Sequence, residues 1–165
     1  TKKKMKSILF VCSGNIFRSM SAELFLKKYL KDKNIKIKVS SAGITAKKQE
    51  IHPIVKEELD KLNIDYSKHK QRKVTKKILN SSDLVISMAK VHQKFLKENF
   101  AADSVLFNEI CFGKREDFLD YPDILKQTNS KKKAEKYLRT AIKLINKGTK
   151  KMLLKKSLQQ LYKHN

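Results

Sequence analysis

The apolar run SILFVC at residues 7–12 is the feature that most constrains the fold. It lacks the alternation of a half-buried strand, and so it predicts a strand buried on both faces, as strands of parallel sheets are. A turn, Ser13-Gly14-Asn15, follows it, and from about residue 19 to residue 32 apolar residues recur at helical spacing. A strand that leads through a tight turn into a helix is typical of a βαβ unit. We therefore expect a parallel sheet with Cys12 at the carboxyl end of one strand.

The alternation of apolar runs and helical stretches continues along the chain. Further strands are predicted at residues 35–39, 83–88 and 104–107, and further helices at 53–62, 91–100 and from 130 onward. Residues 108–128 carry no such pattern and are expected to be irregular. The alternation predicts a single-domain α/β fold, with a four-stranded parallel sheet flanked by helices on both faces. Ligands of such sheets bind at the carboxyl ends of the strands.

The composition excludes several classes of protein. The chain has 165 residues, 40% of them hydrophobic, with 4 Gly and 2 Pro, which excludes a disordered or collagen-like chain. No apolar run approaches the roughly 18 residues of a membrane-spanning helix. The 2 Cys cannot form a disulfide framework. We expect a cytoplasmic protein without a membrane span.

Lys and Arg outnumber Asp and Glu by 39 to 16, a net charge of +23. This excess suits nucleic-acid binding, but most of it is Lys, whereas Arg recognises phosphates and bases through paired hydrogen bonds. Residues 148–165 are predicted to form a basic helical extension that holds an acidic partner or an anionic surface. A solvated, frayed helix is the alternative, and a non-catalytic basic binding module is the corresponding alternative for the whole chain.

Cys12 and Arg18 bracket the turn between the first strand and the first helix. Backbone N–H groups of such a turn and the helix dipole bind an oxyanion, and Arg18 can bind two oxygens of the same anion. The same positive field favours the thiolate form of Cys12, which is a nucleophile toward phosphorus. Asn15 tolerates the left-handed conformation that a tight turn needs, and the Ser19 hydroxyl can donate to the thiolate. A buried structural Cys beside a helix-capping Ser is the alternative.

The segment VCSGNIFRSMSAE resembles the phosphate-binding loop of the low-molecular-weight protein tyrosine phosphatases. Other segments are similar to further motifs of that family: SSAG at 40–43, SKHKQRKVT at 67–75, SDLVISM at 82–88 and DYPDI at 120–124. The resemblance covers residues from about 6 to 146. It implies a phosphatase domain over residues 1–147, with the basic extension after it.

The resemblance implies a role for each matching residue. Cys12 would be the nucleophile, Arg18 would bind phosphate and stabilise the transition state, and Asp123 would be the general acid. Asp120 is the alternative acid; Asp123 is preferred because its position relative to Pro122 fits the family's Asp-Pro motif better. The phosphate-binding loop would comprise Ser13, Gly14, Asn15, Ile16, Phe17 and Ser19, and Asn15 would be held from outside by Ser41 and His69.

These roles imply hydrolysis of phosphotyrosine, in a protein or a small aryl phosphate, through a phosphocysteine intermediate. No metal or cofactor is required, because the loop amides and Arg18 supply the positive field. A protein-arginine phosphatase is one alternative on the same scaffold, and the resemblance associates it with Thr in place of Ile16. An arsenate reductase is another, but it needs more cysteines than Cys111 supplies. Phe17 stands where the family usually has a Cys that can protect the nucleophile as a disulfide.

Overall fold

The computed structural model describes residues 4–155, in which strands and helices alternate. In chain order the elements are β1 (Ser7–Cys12), α1 (Arg18–Asp32), β2 (Lys38–Gly43), α2 (Pro53–Lys61), α3 (Lys76–Asn80), β3 (Leu84–Ser87), α4 (Lys90–Phe100), β4 (Val105–Leu106), α5 (Phe107–Phe112), α6 (Tyr121–Thr128) and α7 (Lys131–Leu154).

The four strands form one parallel sheet in the order β2-β1-β3-β4. This confirms the predicted α/β fold with a four-stranded parallel sheet. Because β1 has a neighbouring strand on each side, it is an inner strand of the sheet, and its carboxyl end lies between the ends of β2 and β3. Cys12 is its last residue and pairs with Gly43, the last residue of β2. The turn after β1 is therefore flanked by the loops that follow β2 and β3.

The residues of β1 divide between two hydrophobic cores, one on each face of the sheet. Ile8 and Phe10 pack with α1, α2, α5 and α7, and Leu9 and Val11 pack with α3 and α4. All four side chains are buried. An uninterrupted apolar run is therefore required here, since either face exposed to water would call for a polar residue at every second position.

Two parts of the secondary structure differ from the sequence-based prediction. The second strand is shifted toward the C-terminus, to Lys38–Gly43, because its small residues Ser40–Gly43 pair with β1. Residues 108–128 contain α5 and α6 rather than irregular structure. Both helices are short, with 6 and 8 residues, so neither repeats an apolar pattern often enough to be recognised by periodicity.

The helix α7 is the longest element, with 24 residues, and it packs against α1, α2, α5 and α6. It continues without a break through Gly148, and Met152 and Leu153 are buried in the core. The boundary predicted between residues 147 and 148 therefore falls inside a helix that is packed on both sides of it. The rest of the predicted extension, residues 156–165, lies outside the described residues. Within residues 4–155 no helix is long and apolar enough to cross a membrane.

Candidate active site

Residues 12–18 curl into a cup at the carboxyl end of β1. The carbonyl groups of residues 13–15 point out of this cup, because each accepts a hydrogen bond from outside. Their donors are the backbone N–H of Thr45 at 3.0 Å, the side-chain amide of Gln71 at 2.7 Å and the ring Nε2 of His69 at 2.7 Å. In a trans peptide the N–H points opposite to the carbonyl, so the N–H groups of residues 14–16 face the interior. The cup is thus lined with donors for an anion.

The sulfur of Cys12 lies at the floor of the cup and meets two hydrogen-bond donors. The N–H of Asn15 lies 3.3 Å from Sγ, and Ser19 Oγ lies 2.8 Å from it. Asn15 has φ 59°, the left-handed conformation that turns the chain inward here. Cys12 is 2% exposed, but it lines a pocket above the cup, so the sulfur is open to a ligand in that pocket.

Asn15 is held from outside the cup by a loop and by β2. Its side-chain amide donates to Ser41 Oγ at 2.8 Å and to Ser19 Oγ at 3.0 Å, and its side-chain oxygen accepts from the N–H of Arg72 at 3.1 Å. His69 contacts its backbone carbonyl. Asn15 is fully buried, so these hydrogen bonds are shielded from water and fix the shape of the cup.

Close packing at Gly43 brings the cup against the end of β2. A Cβ atom at residue 43 would lie 2.3 Å from the backbone oxygen of Ser13, which is an impossible contact. From the sequence, Gly14 in the turn is the glycine expected to allow close packing. A Cβ atom at residue 14, however, would lie 3.5 Å from its nearest neighbour, which is an ordinary contact. The residue that must lack a side chain is therefore on the strand beside the cup and not in it.

Arg18 joins the cup to the loop before α6. Its Nη1 donates to the carbonyl of Phe118 at 2.7 Å, and its Nη2 lies 3.2 Å from Oδ2 of Asp120. Arg18 is 3% exposed, so the contact is only partly screened by water. Asp120 lines the same pocket as Cys12. A carboxyl group and the Cys12 sulfur therefore face one cavity.

The preference for Asp123 as the acid is not supported by this geometry. Its Oδ2 accepts the N–H of Asp120 at 2.8 Å, and the two residues form a capping box at the start of α6. Among the described residues that line the pocket above the cup, Asp120 is present and Asp123 is absent. The pattern Asp-x-x-Asp with Pro in the first turn is a helix-start signal that the sequence already contains.

The pocket over the cup has a volume of about 800 Å³ and is walled mostly by apolar and aromatic side chains. The rings of His52, which caps α2, and Tyr121, which begins α6, lie 5.1 Å apart and form part of its rim. The remaining walls include Ile16, Phe17, Ile51, Pro53, Val55 and Leu138, with Lys47, Gln49 and Glu50 at the polar side. A flat apolar group attached to a phosphate fits such a pocket.

His92 is a site residue that the sequence analysis missed, because its position at the start of a helix suggested an exposed residue. It is fully buried; its Nδ1 accepts the N–H of Ala89 at 3.0 Å, and its Nε2 lies 2.9 Å from Ser13 Oγ. Burial, together with the charge of Arg18, lowers the pKa of His92 to about 3. The neutral ring therefore carries its proton on Nε2 and donates it to Ser13.

Cys12 has no reactive thiol beside it among the described residues, because Phe17 stands where the family usually has a Cys and Cys111 is buried elsewhere. Phe17 is 7% exposed and lines the pocket. Cys111 is buried in α5, and burial raises its pKa to about 12. Within residues 4–155 no three His, Cys, Asp or Glu side chains come together as metal ligands.

Comparison with known proteins assigns the chain to a family. Residues 7–164 match the family model of the low molecular weight phosphotyrosine protein phosphatases. The chain belongs to that family. The resemblance drawn from the sequence is thereby confirmed, and the cup that contains Cys12 occupies the position of the family's phosphate-binding loop.

The relatives of this phosphatase-family chain differ in their activities. A protein-arginine-phosphatase of Bacillus subtilis is 31% identical over 148 residues, which cover 85% of this chain and 97% of the relative. An arsenate reductase of Staphylococcus haemolyticus is 40% identical over 83 residues, and the match spans 50% of this chain and 60% of the reductase. The solved low molecular weight protein tyrosine phosphatase of T. tengcongensis has the same fold, with a TM-score of 0.77, 23% identity, and coverage of 90% of this chain and 98% of that structure.

Proposed function

We propose that this protein hydrolyses phosphotyrosine and related aryl phosphate monoesters through a phosphocysteine intermediate. The observation that carries the proposal is the cup of residues 12–18, with a sulfur at its floor and inward N–H groups, under a pocket that also holds a carboxyl group. A nucleophile, an oxyanion site and an acid are what transfer of a phosphoryl group to sulfur requires.

In the first step the Cys12 thiolate attacks phosphorus, and the bond from phosphorus to the aryl oxygen breaks. The inward N–H groups of residues 14–16 and the Arg18 guanidinium neutralise the equatorial oxygens as charge develops on them. Protonated Asp120 gives its proton to the leaving aryl oxygen, which would otherwise depart as a poor leaving group. The products of this step are a free phenol and phosphocysteine.

In the second step a water molecule attacks phosphorus and gives a proton to the Asp120 carboxylate. The bond between phosphorus and sulfur breaks, and the thiolate leaves with a hydrogen bond from Ser19 and one from the N–H of Asn15. Inorganic phosphate is released, and Asp120 is again protonated. Both steps use the same carboxyl group in opposite directions.

The apolar walls of the pocket favour an aryl substrate. Ile16 lies on the cup, and its side chain lines the pocket together with Phe17 and Tyr121. An aromatic ring between these groups is desolvated without leaving a polar group unpaired. A phosphorylated arginine carries a charged guanidinium, which the side chains of Ile16, Phe17 and Tyr121 do not pair.

A protein-arginine phosphatase is the second candidate, because the Bacillus subtilis relative matches most of this chain. An arsenate reductase is disfavoured, since reduction by disulfide relay needs further thiolates. Burial of Cys111 in α5 and its raised pKa keep that thiol protonated and unreactive. We also place the enzyme in the cytoplasm, where a reducing environment keeps Cys12 free.

Steady-state assays with phosphotyrosine, phosphoserine and phosphoarginine peptides test the proposal. We expect the phosphotyrosine peptide to have the highest kcat/KM, and Cys12→Ser to abolish turnover while keeping the fold. Ile16→Thr should move the preference toward phosphoarginine. Equal turnover of all three peptides, or none, would contradict the substrate assignment.

The choice of acid is tested by Asp120→Asn, with Asp123→Asn as its matched control. Loss of the acid should lower kcat on phosphotyrosine by roughly 10²–10⁴-fold, and less on an aryl phosphate whose phenol is a good leaving group. Asp123→Asn keeps an oxygen that accepts the N–H of residue 120 and should change kcat little. The opposite order would return the acid role to Asp123.

A further inference from the structure

A chain of buried polar side chains connects Glu23, on the second turn of α1, to the sulfur of Cys12. Glu23 is 9% exposed, Ser41 is 2% exposed, and Asn15 and Ser19 are fully buried. Nothing in the mechanism above uses Glu23. A buried carboxylate at the end of such a chain needs a reason, because burying a charge is unfavourable unless it is well paired.

The hydrogen bonds of this chain run without a gap. Ser41 Oγ lies 2.7 Å from Oε1 of Glu23, and the side-chain N–H of Asn15 donates to Ser41 Oγ at 2.8 Å. The other side-chain hydrogen of Asn15 is directed to Ser19 Oγ at 3.0 Å, and Ser19 Oγ lies 2.8 Å from the Cys12 sulfur. Each contact has the length of an ordinary hydrogen bond.

The chemistry of the groups fixes the direction of every hydrogen in the chain. An ionised carboxylate only accepts, so the hydroxyl hydrogen of Ser41 goes to Glu23, and Ser41 Oγ accepts from Asn15. The side-chain oxygen of Asn15 accepts the N–H of Arg72, so its amide nitrogen faces Ser41 and Ser19. Ser19 Oγ therefore accepts from Asn15, and its own hydrogen is left for the sulfur.

We propose that Glu23 is a positioning residue that sets the direction of this chain, so that Ser19 donates its hydrogen bond to the Cys12 thiolate. The inference rests on the proposed function and extends it to a residue that does not touch the substrate. Lys27 Nζ lies 2.6 Å from the second oxygen of Glu23 and forms a salt bridge with it.

Removal of the acceptor allows the chain to reverse. Without a carboxylate at residue 23, the Ser41 hydroxyl has no acceptor on that side, and it competes with the N–H of Arg72 for the side-chain oxygen of Asn15. It can donate to that oxygen when the amide turns over and gives up the hydrogen bond from Arg72. The amide oxygen of Asn15 then also accepts from Ser19, and the sulfur loses a hydrogen-bond donor. A thiolate that lacks this donor is less stable, and it is also a poorer leaving group when phosphocysteine is hydrolysed.

The test is alkylation of Cys12 by iodoacetamide as a function of pH, a readout that does not require turnover. The variant Glu23→Leu should alkylate about tenfold more slowly near neutral pH, with the rate profile moved to higher pH, as expected for loss of one hydrogen bond to a charged group. The charged groups of the cup, Arg18 and its partner Asp120, are unchanged in this variant. Circular dichroism verifies that the variant is folded.

A second variant separates a directed hydrogen-bond chain from a general loss of packing. In a Ser19→Ala background the substitution Glu23→Leu should move the alkylation profile no further, because the hydrogen whose direction it controls is gone. Ser21→Ala is the matched control, since Ser21 is fully buried on the same helix and its Oγ has no hydrogen-bond partner among the described residues. Ser21→Ala should leave the profile unchanged.

Two results would overturn the inference. One is an unaltered alkylation profile in Glu23→Leu, and the other is an undiminished effect of Glu23→Leu in the Ser19→Ala background. Either result would leave phosphatase activity of the unaltered chain intact. Conversely, absence of turnover in the unaltered chain would contradict the proposed function, while the alkylation profiles would still measure the role of Glu23.

Discussion

At the scale of single residues, the turn that joins the proposed nucleophile to its proposed anion site could be predicted from the sequence, whereas the choice between Asp120 and Asp123 as the proposed acid could not. Cys12 and Arg18 are fixed by one short turn, so their spacing alone places both at the cup. Asp120 and Asp123 lie three residues apart at the start of α6, which meets the cup only through tertiary packing. The segment from Asp120 to Asp123 also forms a capping box at the start of α6, in which Asp123 accepts the N–H of Asp120.

His92 gives the protein a residue-scale dependence of stability on pH. Burial lowers its pKa to about 3 from the ordinary 6.5, so between these values the unfolded chain binds a proton that the folded protein does not. Stability therefore falls as the pH drops from 6.5 toward 3. His92 should account for about 2 kcal/mol of lost unfolding free energy between about pH 7 and pH 5.

Urea denaturation of the unaltered chain and of His92→Gln at several pH values measures this contribution. The variant starts less stable, because Gln fills the site of the ring poorly. Its stability should decline less steeply with acidification than that of the unaltered chain. Parallel declines would mean that His92 titrates alike in both states.

At the scale of elements, long or strongly apolar segments were predictable and short ones were not. The uninterrupted apolar run of β1 predicts a strand that is buried on both faces of the sheet, as it is. The helix α7 repeats its apolar pattern over 24 residues, so its periodicity is easily recognised. The alternation at residues 35–39 indicated a strand, but pairing with β1 selects Lys38–Gly43. The partner strand decides which residues pair, so the bounds of such a strand cannot be predicted from its own sequence alone.

Packing of the cup against β2 leads to an element-scale prediction about Gly43. Gly43→Ala should displace the Ser13 carbonyl and the sulfur with it, and lower kcat/KM on the order of 100-fold. Gly14→Ala is the control, since its Cβ would have ordinary contacts, and it should lower kcat/KM far less. The comparison uses a small aryl phosphate, with thermal melting to verify folding; equal losses in both variants would remove Gly43 from this role.

At the scale of the whole molecule, part of the basic excess is concentrated on one face of α7. Its exposed positions include Lys132, Lys136, Lys143, Lys147 and Lys150. At 100° and 1.5 Å per residue, these five lie within about 60° of arc along about 27 Å of helix. Within residues 4–155 none of them has an ion-pair partner, so the charge faces solvent and is available to an acidic partner.

This charge distribution predicts a salt-dependent substrate preference. For a phosphotyrosine peptide with flanking acidic residues, kcat/KM should fall more steeply with added salt than for a peptide with neutral flanks, because salt screens long-range attraction. Replacement of Lys132, Lys136 and Lys143 by Glu should flatten the salt dependence of the acidic peptide. If both peptides respond equally in the unaltered chain, the lysine stripe has no part in recruiting substrate.

Phe17 fills the place beside Cys12 with a ring. In the described residues the other sulfhydryl group is Cys111, buried in α5, so a sulfenic acid formed on Cys12 by peroxide has no thiol beside it with which to form a disulfide. Small cellular reductants must then intercept it before further oxygen adds irreversibly. We therefore expect a burst of hydrogen peroxide to oxidise Cys12 irreversibly in part of the protein, so that the proposed activity returns only with newly synthesised chains.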